Sequence, residues 1–367
     1  VEFSLRRPRL VLALTGLLTL LFLAQFPKIR IDTNPKHMLP ETSDVRVWND
    51  EVDRTFALYE DTIVVGVAND QGVLNRDTLG RIARLTDAIL ALPGVASRDV
   101  NGFTTITNVT AEDGMLKVGP LMPAAPRSDG EVDALKRALL GNPLFVDRII
   151  SQDGRTTAIY VPLEKGANGA EIAGRIRNIV AQEDGPERYY VAGDPVARDT
   201  FGAEMFKLMA IFSPIAGGIM FAAIQFMFRN LALSAAMMGV SMVAILWSMG
   251  LLIDLGFPVH IMSSMAPVFL MAIATDSIHI FNEFYFRYRE QGDKRAAIRA
   301  TMAAVSRPVR FTALATAAGF AVLLFMNIVP VKVFGGLIAF GTVVLRLLSF
   351  SFIPAVLTFL REDKLAG

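Results

Sequence analysis

The sequence predicts a polytopic α-helical membrane protein, with six transmembrane helices and an α+β domain inserted between the first two. Of its 367 residues, 53% are hydrophobic and only 19% are charged, whereas a soluble domain is about one-quarter charged. Six apolar segments each reach the roughly 17–25 residues that a helix needs to cross a bilayer. The segment between the first two has instead the mixed strand and helix periodicity of a folded domain.

The first apolar segment, residues 10–26, follows three arginines near the start of the chain. A signal peptide has a similar layout, but the flanking residues 25–28 (QFPK) are not a small-residue cleavage site. We therefore predict a retained transmembrane helix within residues 1–29. The other five predicted spans are residues 205–228, 231–253, 260–284, 309–328 and 336–360.

The distribution of basic residues predicts the topology. One side of the predicted membrane receives Arg6, Arg7, Arg9, Arg229, Arg287, Arg289, Lys294, Arg295, Arg299, Arg307, Arg310, Arg361 and Lys364. The short loops on the other side contain only Lys332. Because basic residues stay on the cytoplasmic side, we expect both termini to be cytoplasmic and residues 30–204 to face outward.

The outward segment, residues 30–204, is predicted to be one α+β domain. Thr62–Ala68 is a β-branched strand, and residues 77–92 have helical periodicity before a Pro-Gly stop. Further strands are predicted over residues 95–100, 146–150, 156–163 and 189–192, and further helices over 130–140 and 169–182. This order of elements predicts a split βαβ, ferredoxin-like unit.

The remaining segments follow the spans: residues 205–284 form spans two to four, and 309–367 form spans five and six with a cytoplasmic tail. Between them, residues 285–308 are a cytoplasmic connector with apolar residues at helical spacing opposite Arg295 and Arg299. Two interpretations stay open. The connector is an amphipathic helix on the membrane surface, or it is a solvated basic linker that obeys the positive-inside rule.

Several functions are excluded by composition. The chain has no cysteine and three histidines without metal-ligand spacing, so we expect no disulfide, no metal site and no cysteine nucleophile. It has no glycine-rich phosphate loop. We therefore predict that it is not an enzyme, has no catalytic residues or cofactor, and does not bind nucleic acid.

Asp276 is the most informative residue, because it lies inside the apolar fourth span. An ionisable group there is costly and marks a functional-site hypothesis. His279 and Glu283 follow at three- and seven-residue spacing, so all three share one helix stripe. Arg346 is a second charge, inside the sixth span.

Several segments together resemble one half of a resistance–nodulation–division (RND) transporter, in the branch of MMPL-type lipid exporters and sterol-sensing-domain proteins. The segments that carry the resemblance are residues 31–34 (IDTN), 38–41 (MLPE), 191–195 (VAGDP), 272–277 (AIATDS) and 307–320. Two features depart from that family. Ser277 stands where many MMPL members have tyrosine, and family members generally contain two copies of this half. If the chain is complete, we expect it to pair with a second six-helix half.

The resemblance implies a proton-driven exporter of a hydrophobic or lipid-like molecule in the bacterial inner membrane, with residues 30–204 as a periplasmic porter domain and a possible periplasmic adaptor as partner. It implies that Asp276 carries the proton. His279, one turn further on the same stripe, is a candidate relay group, because histidine serves as a proton shuttle in proteins. For Asp276 the alternative is a structural acid that locks helices together. For His279 it is a neutral imidazole bonded to a neighbouring helix, and for Glu283 an interfacial charge.

The partners of Asp276 stay open. Arg346 either pairs with Asp276, or snorkels to water, or contacts the second half. Thr312 and Thr316, one turn apart on the fifth span, are candidate hydroxyl partners, although threonine in membrane helices often bonds its own backbone. Two other functions compete: a lipid sensor without pumping, and a translocation accessory protein of the SecD/SecF type.

Overall fold

The computed structural model describes residues 1–56, 59, 61–112 and 115–359, and the chain divides into two compact units. One unit is Val47–Phe201, and the other combines Val1–Arg46 with the chain from Gly202 onward. Among the described helices, six are long and apolar enough to cross a membrane. The protein is therefore a multi-pass membrane protein. The predicted end of the sixth span at residue 360 and the predicted tail with Arg361 and Lys364 lie outside the described residues.

The chain begins with two helices, α1 (Glu2–Arg6) and α2 (Pro8–Leu23). Pro8 starts α2, where the missing N–H of proline costs no hydrogen bond. A 3₁₀ turn, Phe26–Lys28, ends the first span. Ser4 and Leu5 are buried in α1, and Glu2 accepts a hydrogen bond of 2.8 Å from Arg299. The short α1 is therefore packed against the membrane unit.

The helices and strands that follow, up to the second span, are α3 (Asp44–Thr55), β1 (Thr62–Ala68), α4 (Arg76–Leu90), β2 (Thr107–Glu112), β3 (Met115–Pro120), α5 (Asp129–Leu140), β4 (Thr156–Pro162), α6 (Gly169–Val180) and β5 (Arg188–Gly193). Side-chain caps set the starts of three of the helices. Asn75, Ser128 and Asn168 each accept a hydrogen bond from the backbone N–H three residues later, which satisfies one of the free donors of a helix end.

The core of the Val47–Phe201 unit is a three-stranded antiparallel sheet in the order β4-β1-β5. In β1, Ile63, Val65 and Val67 are fully buried and alternate with half-buried neighbours, which is the two-residue period of a strand with one buried face. The buried residues of α4 and α6 belong to the same core. The predicted helices and these three strands are all present, with ends within about three residues of those predicted.

Two of the predicted strands are wrong. Residues 95–100 contain a 3₁₀ turn, Ser97–Asp99, and reach β4 only through isolated bridges such as Val95 with Leu163. Residues 146–150 likewise form isolated bridges, and Asp147 has a positive φ of 62° that a regular strand does not allow. The hairpin of β2 and β3 was not predicted. The periplasmic ferredoxin-like assignment therefore stays a prediction.

The membrane unit continues with seven helices: α7 (Asp194–Phe228), α8 (Leu231–Asp254), α9 (Ile261–Ser264), α10 (Ala266–Ala274), α11 (Ile278–Gln291), α12 (Lys294–Ala321) and α13 (Val329–Phe359). Spans three and six, α8 and α13, form its centre, because they have the largest buried shares of the six and pack against each other. The most apolar part of α12 lies outside the buried core. Spans one, two and five have the smallest buried shares of the six and are therefore peripheral.

Glycines allow the central helices to approach closely. A Cβ added to Gly250 of α8 would lie 2.5 Å from the Phe22 Cβ atom of α2, and one added to Gly341 of α13 would lie 2.4 Å from Leu270 of α10. Small residues at helix contacts are typical of membrane bundles. Gly341 therefore has a packing role, whereas Gly218, Gly239 and Gly319 have no described atom within 4 Å of an added Cβ.

The connector after span four is helical on both sides of one break. α11 runs to Gln291, Gly292 takes a left-handed φ of 69°, and α12 then continues into span five without interruption. Ala297, Ile298 and Met302, which gave the connector its amphipathic pattern, are buried in the core of the membrane unit. The pattern is therefore explained by protein packing, which was neither of the two predicted interpretations.

The segment after span one is held by the loop between spans three and four. Arg30 O accepts from Val259 N at 2.7 Å, and Asp32 N donates to Val259 O at 3.2 Å. His260, which is buried, lies with Nδ1 3.2 Å from Asp32 O. These bonds form a short parallel bridge between Ile31 and Val259 at the end of the bundle where span one finishes.

Candidate functional site

The fourth span is a broken helix, and Asp276 lies at the break. α10 ends at Ala274, a 3₁₀ turn covers Thr275–Ser277, and α11 begins at Ile278. Thr275 Oγ1 donates to Ala272 O at 2.6 Å within this turn. A short 3₁₀ stretch inside a helix often marks a hinge. The intramembrane acid therefore lies on a 3₁₀ turn inside its span.

Asp276 lines a small cavity of about 30 Å³ between spans four, five and six. The polar residues around the cavity are Asp276, Ser277, Thr316, Thr342, Arg346 and Ser349. A site that holds a water molecule needs about 10–15 Å³ and polar partners. The cavity meets both conditions, so it can hold water beside the carboxylate of Asp276.

Arg346 shares this cavity with Asp276 but does not form an ion pair with it. Within the described part of the chain, no carboxylate lies within 4.0 Å of the Arg346 guanidinium. Nη2 instead donates to Ser306 O at 3.4 Å, and the guanidinium stacks on the ring of Phe350, with Cζ 3.4 Å from the ring centre. Buried Nη1 has no hydrogen-bond partner, so the cation has an unused donor next to the cavity.

The turn that carries Asp276 is tied to span six by a pair of serines. Buried Ser277 Oγ lies 3.4 Å from Ser349 Oγ, and Ser349 Oγ also donates to Leu345 O at 2.8 Å. Ser277 stands where many members of the resembling family have tyrosine. The hydroxyl at this position thus points to span six and not to an exposed face.

Of the other predicted relay residues, one lines the cavity and three do not. Thr316 lines it, whereas exposed Thr312 donates to its own helix at Pro308 O, 3.2 Å away. His279 is exposed one turn below Asp276. Glu283 accepts a hydrogen bond of 2.6 Å from Arg287, four residues later on the same helix.

The stripe of span four that carries Asp276 is exposed in this unit. Ala272, Asp276, His279, Asn282 and Phe286 follow one another at intervals of three or four residues, and all five are exposed. Residues at such intervals share one side of a helix. Three of them are polar or ionisable, which is costly for a face in contact with lipid.

Two polar cavity residues, Thr342 and Ser349, were not predicted, and neither was the Ser306 carbonyl, outside the cavity lining, that accepts from Arg346. Thr342, Arg346 and Ser349 are spaced at four and three residues along span six, so a search for polar residues on the stripe of Arg346 finds two of them. The contact with Ser306 depends on how spans five and six pack and has no such signal. Among the described residues, no group of three or more His, Asp or Glu side chains is placed to hold a metal ion.

Comparison with known families supports the resemblance. The model of the MMPL family matches residues 41–365, which is most of the chain. Members of that family are transporters of the RND type with lipid-like substrates. A search of curated proteins found no significant match.

Proposed function

The chain belongs to the MMPL family, and we propose that it is an exporter, or half of one, that uses the proton motive force to move a hydrophobic or lipid-like molecule out of the bacterial inner membrane. The observation that carries this proposal is the cavity shared by Asp276 and Arg346. It combines an ionisable acid, an unpaired guanidinium donor and room for water inside the membrane bundle.

Protonation of Asp276 changes its electrostatic attraction to Arg346 across this cavity. The ionised carboxylate attracts the Arg346 guanidinium, and this attraction is stronger in a low-dielectric interior than in water. The protonated acid exerts no such attraction, so Arg346 keeps its contacts with Phe350 and Ser306. Because Asp276 lies on a 3₁₀ turn, the two charge states favour different positions of span four against span six.

The path of the proton toward the cytoplasm is proposed to follow the same stripe. His279 lies one turn below Asp276, and an imidazole can accept a proton at one ring nitrogen and donate one from the other. Glu283 lies one turn further, where it is paired with Arg287. In this proposal His279 relays the proton, and Glu283 marks the cytoplasmic exit.

We also propose that a second six-helix half covers the exposed stripe of span four. Asp276, His279 and Asn282 are exposed there, and a polar stripe in a bilayer normally faces protein or water. The second half is either a further copy of this chain or a related half. It encloses the proton site, and a periplasmic adaptor is a possible further partner.

The test is transport of a fluorescent phospholipid in inside-out vesicles under an imposed pH gradient. Asp276→Asn keeps the size of the side chain but cannot ionise, so transport is expected to fall to the background level. Asp254→Asn is the matched control, and it is expected to retain most of the transport because exposed Asp254 lies outside the cavity and outside the proposed proton path. Unchanged transport in Asp276→Asn overturns the proton role. If the wild type binds the lipid but moves none under any gradient, the sensor function replaces the exporter.

A further inference from the structure

A second and larger cavity lies between spans three, five and six, at the end of the bundle where span one finishes. Its volume is about 420 Å³, which is within the range of roughly 300–1,000 Å³ for small-molecule sites. The residues that line it are Ser248, Leu251, Leu252, Leu255, Phe257, Leu324, Val329, Lys332, Val333, Gly336, Leu337 and Phe340. It shares no residue with the cavity of Asp276.

The wall of this cavity is almost wholly apolar. Apart from Lys332, its one polar side chain is Ser248, whose Oγ donates to Ala244 O at 2.7 Å in its own helix. Leu255, Phe257 and Leu324 line the cavity and are also exposed at the surface of the bundle. The cavity is therefore open toward the lipid, and an alkyl chain can enter it from the side.

Lys332 gives this apolar cavity a single positive charge. It is half-buried in the first turn of α13, and no hydrogen bond or ion pair is found for its ammonium group among the described residues. The start of a helix adds a partial positive charge of its own. Lys332 is also the one basic residue in the short loops on its side of the predicted topology, so the positive-inside rule does not account for it.

We propose that this cavity binds an anionic phospholipid of the surrounding bilayer, with one acyl chain between spans three, five and six and the phosphate of the headgroup at Lys332. The apolar wall complements the chain, and the unpaired ammonium group complements the phosphate. This inference deepens the proposed function, on which it rests for the fate of the lipid, because it makes an anionic phospholipid the substrate class.

The test is photolabelling of the purified full chain in vesicles, without a pH gradient. The probe is phosphatidylglycerol with a photoreactive group on one acyl chain, and phosphatidylcholine with the same chain is the neutral comparison. Labelled peptides are expected to contain residues that line the cavity, such as Phe257 and Leu324. One interfacial lysine favours an anionic lipid by about fivefold, so the anionic probe is expected to label at least that much more strongly.

Three variants separate the site from general attraction to the membrane. Lys332→Gln is expected to lower phosphatidylglycerol labelling about fivefold and to leave phosphatidylcholine labelling unchanged. Lys28→Gln is the matched control at the same end of the bundle; Lys28 bonds to Gln25, does not line the cavity, and is expected to have no effect. Val333→Phe fills the cavity and is expected to lower the labelling by both probes.

Two results overturn the proposal. One is equal labelling by both probes with no effect of Lys332→Gln, which reduces Lys332 to an ordinary interfacial lysine. The other is competition by oleate but not by phosphatidylglycerol, which makes a free fatty acid the occupant. Asp276→Asn is expected to be labelled like the wild type. Failure of the lipid-site proposal therefore changes the labelling result, whereas failure of the proposed proton-driven transport changes only the transport result.

Discussion

Asp276 and Arg346 line the same cavity of about 30 Å³ inside the membrane unit, yet no ion pair of 4.0 Å or less joins them. The guanidinium is held instead by the Phe350 ring and the Ser306 carbonyl, and its Nη1 has no partner. In the proposed cycle, movement of span four against span six opens and closes the contact between this acid and this cation.

Replacement of Arg346 should lower transport while leaving the stability of the protein nearly unchanged. Arg346→Met removes the cation but fills a similar space, so we expect transport to fall at least about tenfold. The melting temperature should change little. The lost stacking on Phe350 costs about 1 kcal/mol, and the removal of a buried donor without a partner offsets a similar amount.

Arg310→Met is the matched control for this variant, because Arg310 also lies beside a phenylalanine ring but is exposed and does not line the cavity. It should keep transport near the wild-type level. Full transport in Arg346→Met would show that the cation is not needed for the cycle.

Gly341 should tolerate no side chain. A Cβ there would lie 2.4 Å from Leu270 Cδ2 and 2.8 Å from Ser248 Oγ, so Gly341→Ala should destabilise the bundle by about 1–3 kcal/mol. Gly239→Ala is the control, because no described atom lies within 4 Å of its added Cβ, and it should be neutral or slightly stabilising. Thermal unfolding in detergent measures both; equal melting temperatures would contradict the close contact between spans four and six.

Glu187 should make the Val47–Phe201 unit sensitive to acid. Its buried carboxyl accepts hydrogen bonds from Thr78 at 2.6 Å and Arg81 at 3.0 Å. Burial opposes ionisation, but the bonds from Thr78 and Arg81 outweigh it and hold the pKa of Glu187 below its ordinary value. The folded state therefore binds this proton less readily than the unfolded state.

The sign follows from that difference. The stabilisation from Glu187 is complete above the ordinary glutamate pKa and is lost as the pH falls through the lower folded value. Hydrogen exchange in α4 and β5, corrected for the intrinsic pH effect, should accelerate as the pH falls below the ordinary glutamate pKa. In Glu187→Gln the loss of the charged hydrogen bonds should lower the stability of the unit by about 1–3 kcal/mol. Exchange should therefore already be faster at neutral pH and should depend less on pH. An unchanged pH profile in this variant would assign the acid sensitivity to other groups.

The predicted topology can be tested with new cysteines, because the chain has none of its own. Ala124→Cys in the Val47–Phe201 unit and Glu290→Cys at the end of α11 both replace exposed residues. In intact spheroplasts, an impermeant maleimide should label the first at once and the second only after permeabilisation. The reverse order would place the termini outside the cytoplasm.

Local patterns predicted the elements that depend on short-range signals. Thr62–Ala68 is a strand over the predicted residues, as its β-branched composition indicated. Spans were found by length and hydropathy. Residues 95–100 (VASRDV) have a weaker strand composition, because Asp is depleted in strands, and the structure has the 3₁₀ turn Ser97–Asp99 there instead.

The sequence predicted only those features of the site that are determined within a single helix. Asp276 was found because one acid interrupts an apolar span, and the stripe with His279 follows from helix geometry. The 3₁₀ turn at Asp276 has no distinct sequence signal. The contact of Arg346 with Ser306 depends on how two helices pack, and the burial of the connector depends on the rest of the core. Contacts between segments that are distant in sequence cannot be predicted from a local sequence pattern.

The most direct test of the central claim is proton movement itself. Proteoliposomes that contain the chain and phosphatidylglycerol, with a pH-sensitive dye inside, are given a pH gradient, and the lumenal pH is recorded. The wild type should carry protons down the gradient faster than empty liposomes, and Asp276→Asn should match the empty liposomes while Asp254→Asn stays near the wild type. If Asp276→Asn carries protons as fast as the wild type, Asp276 is not the proton carrier.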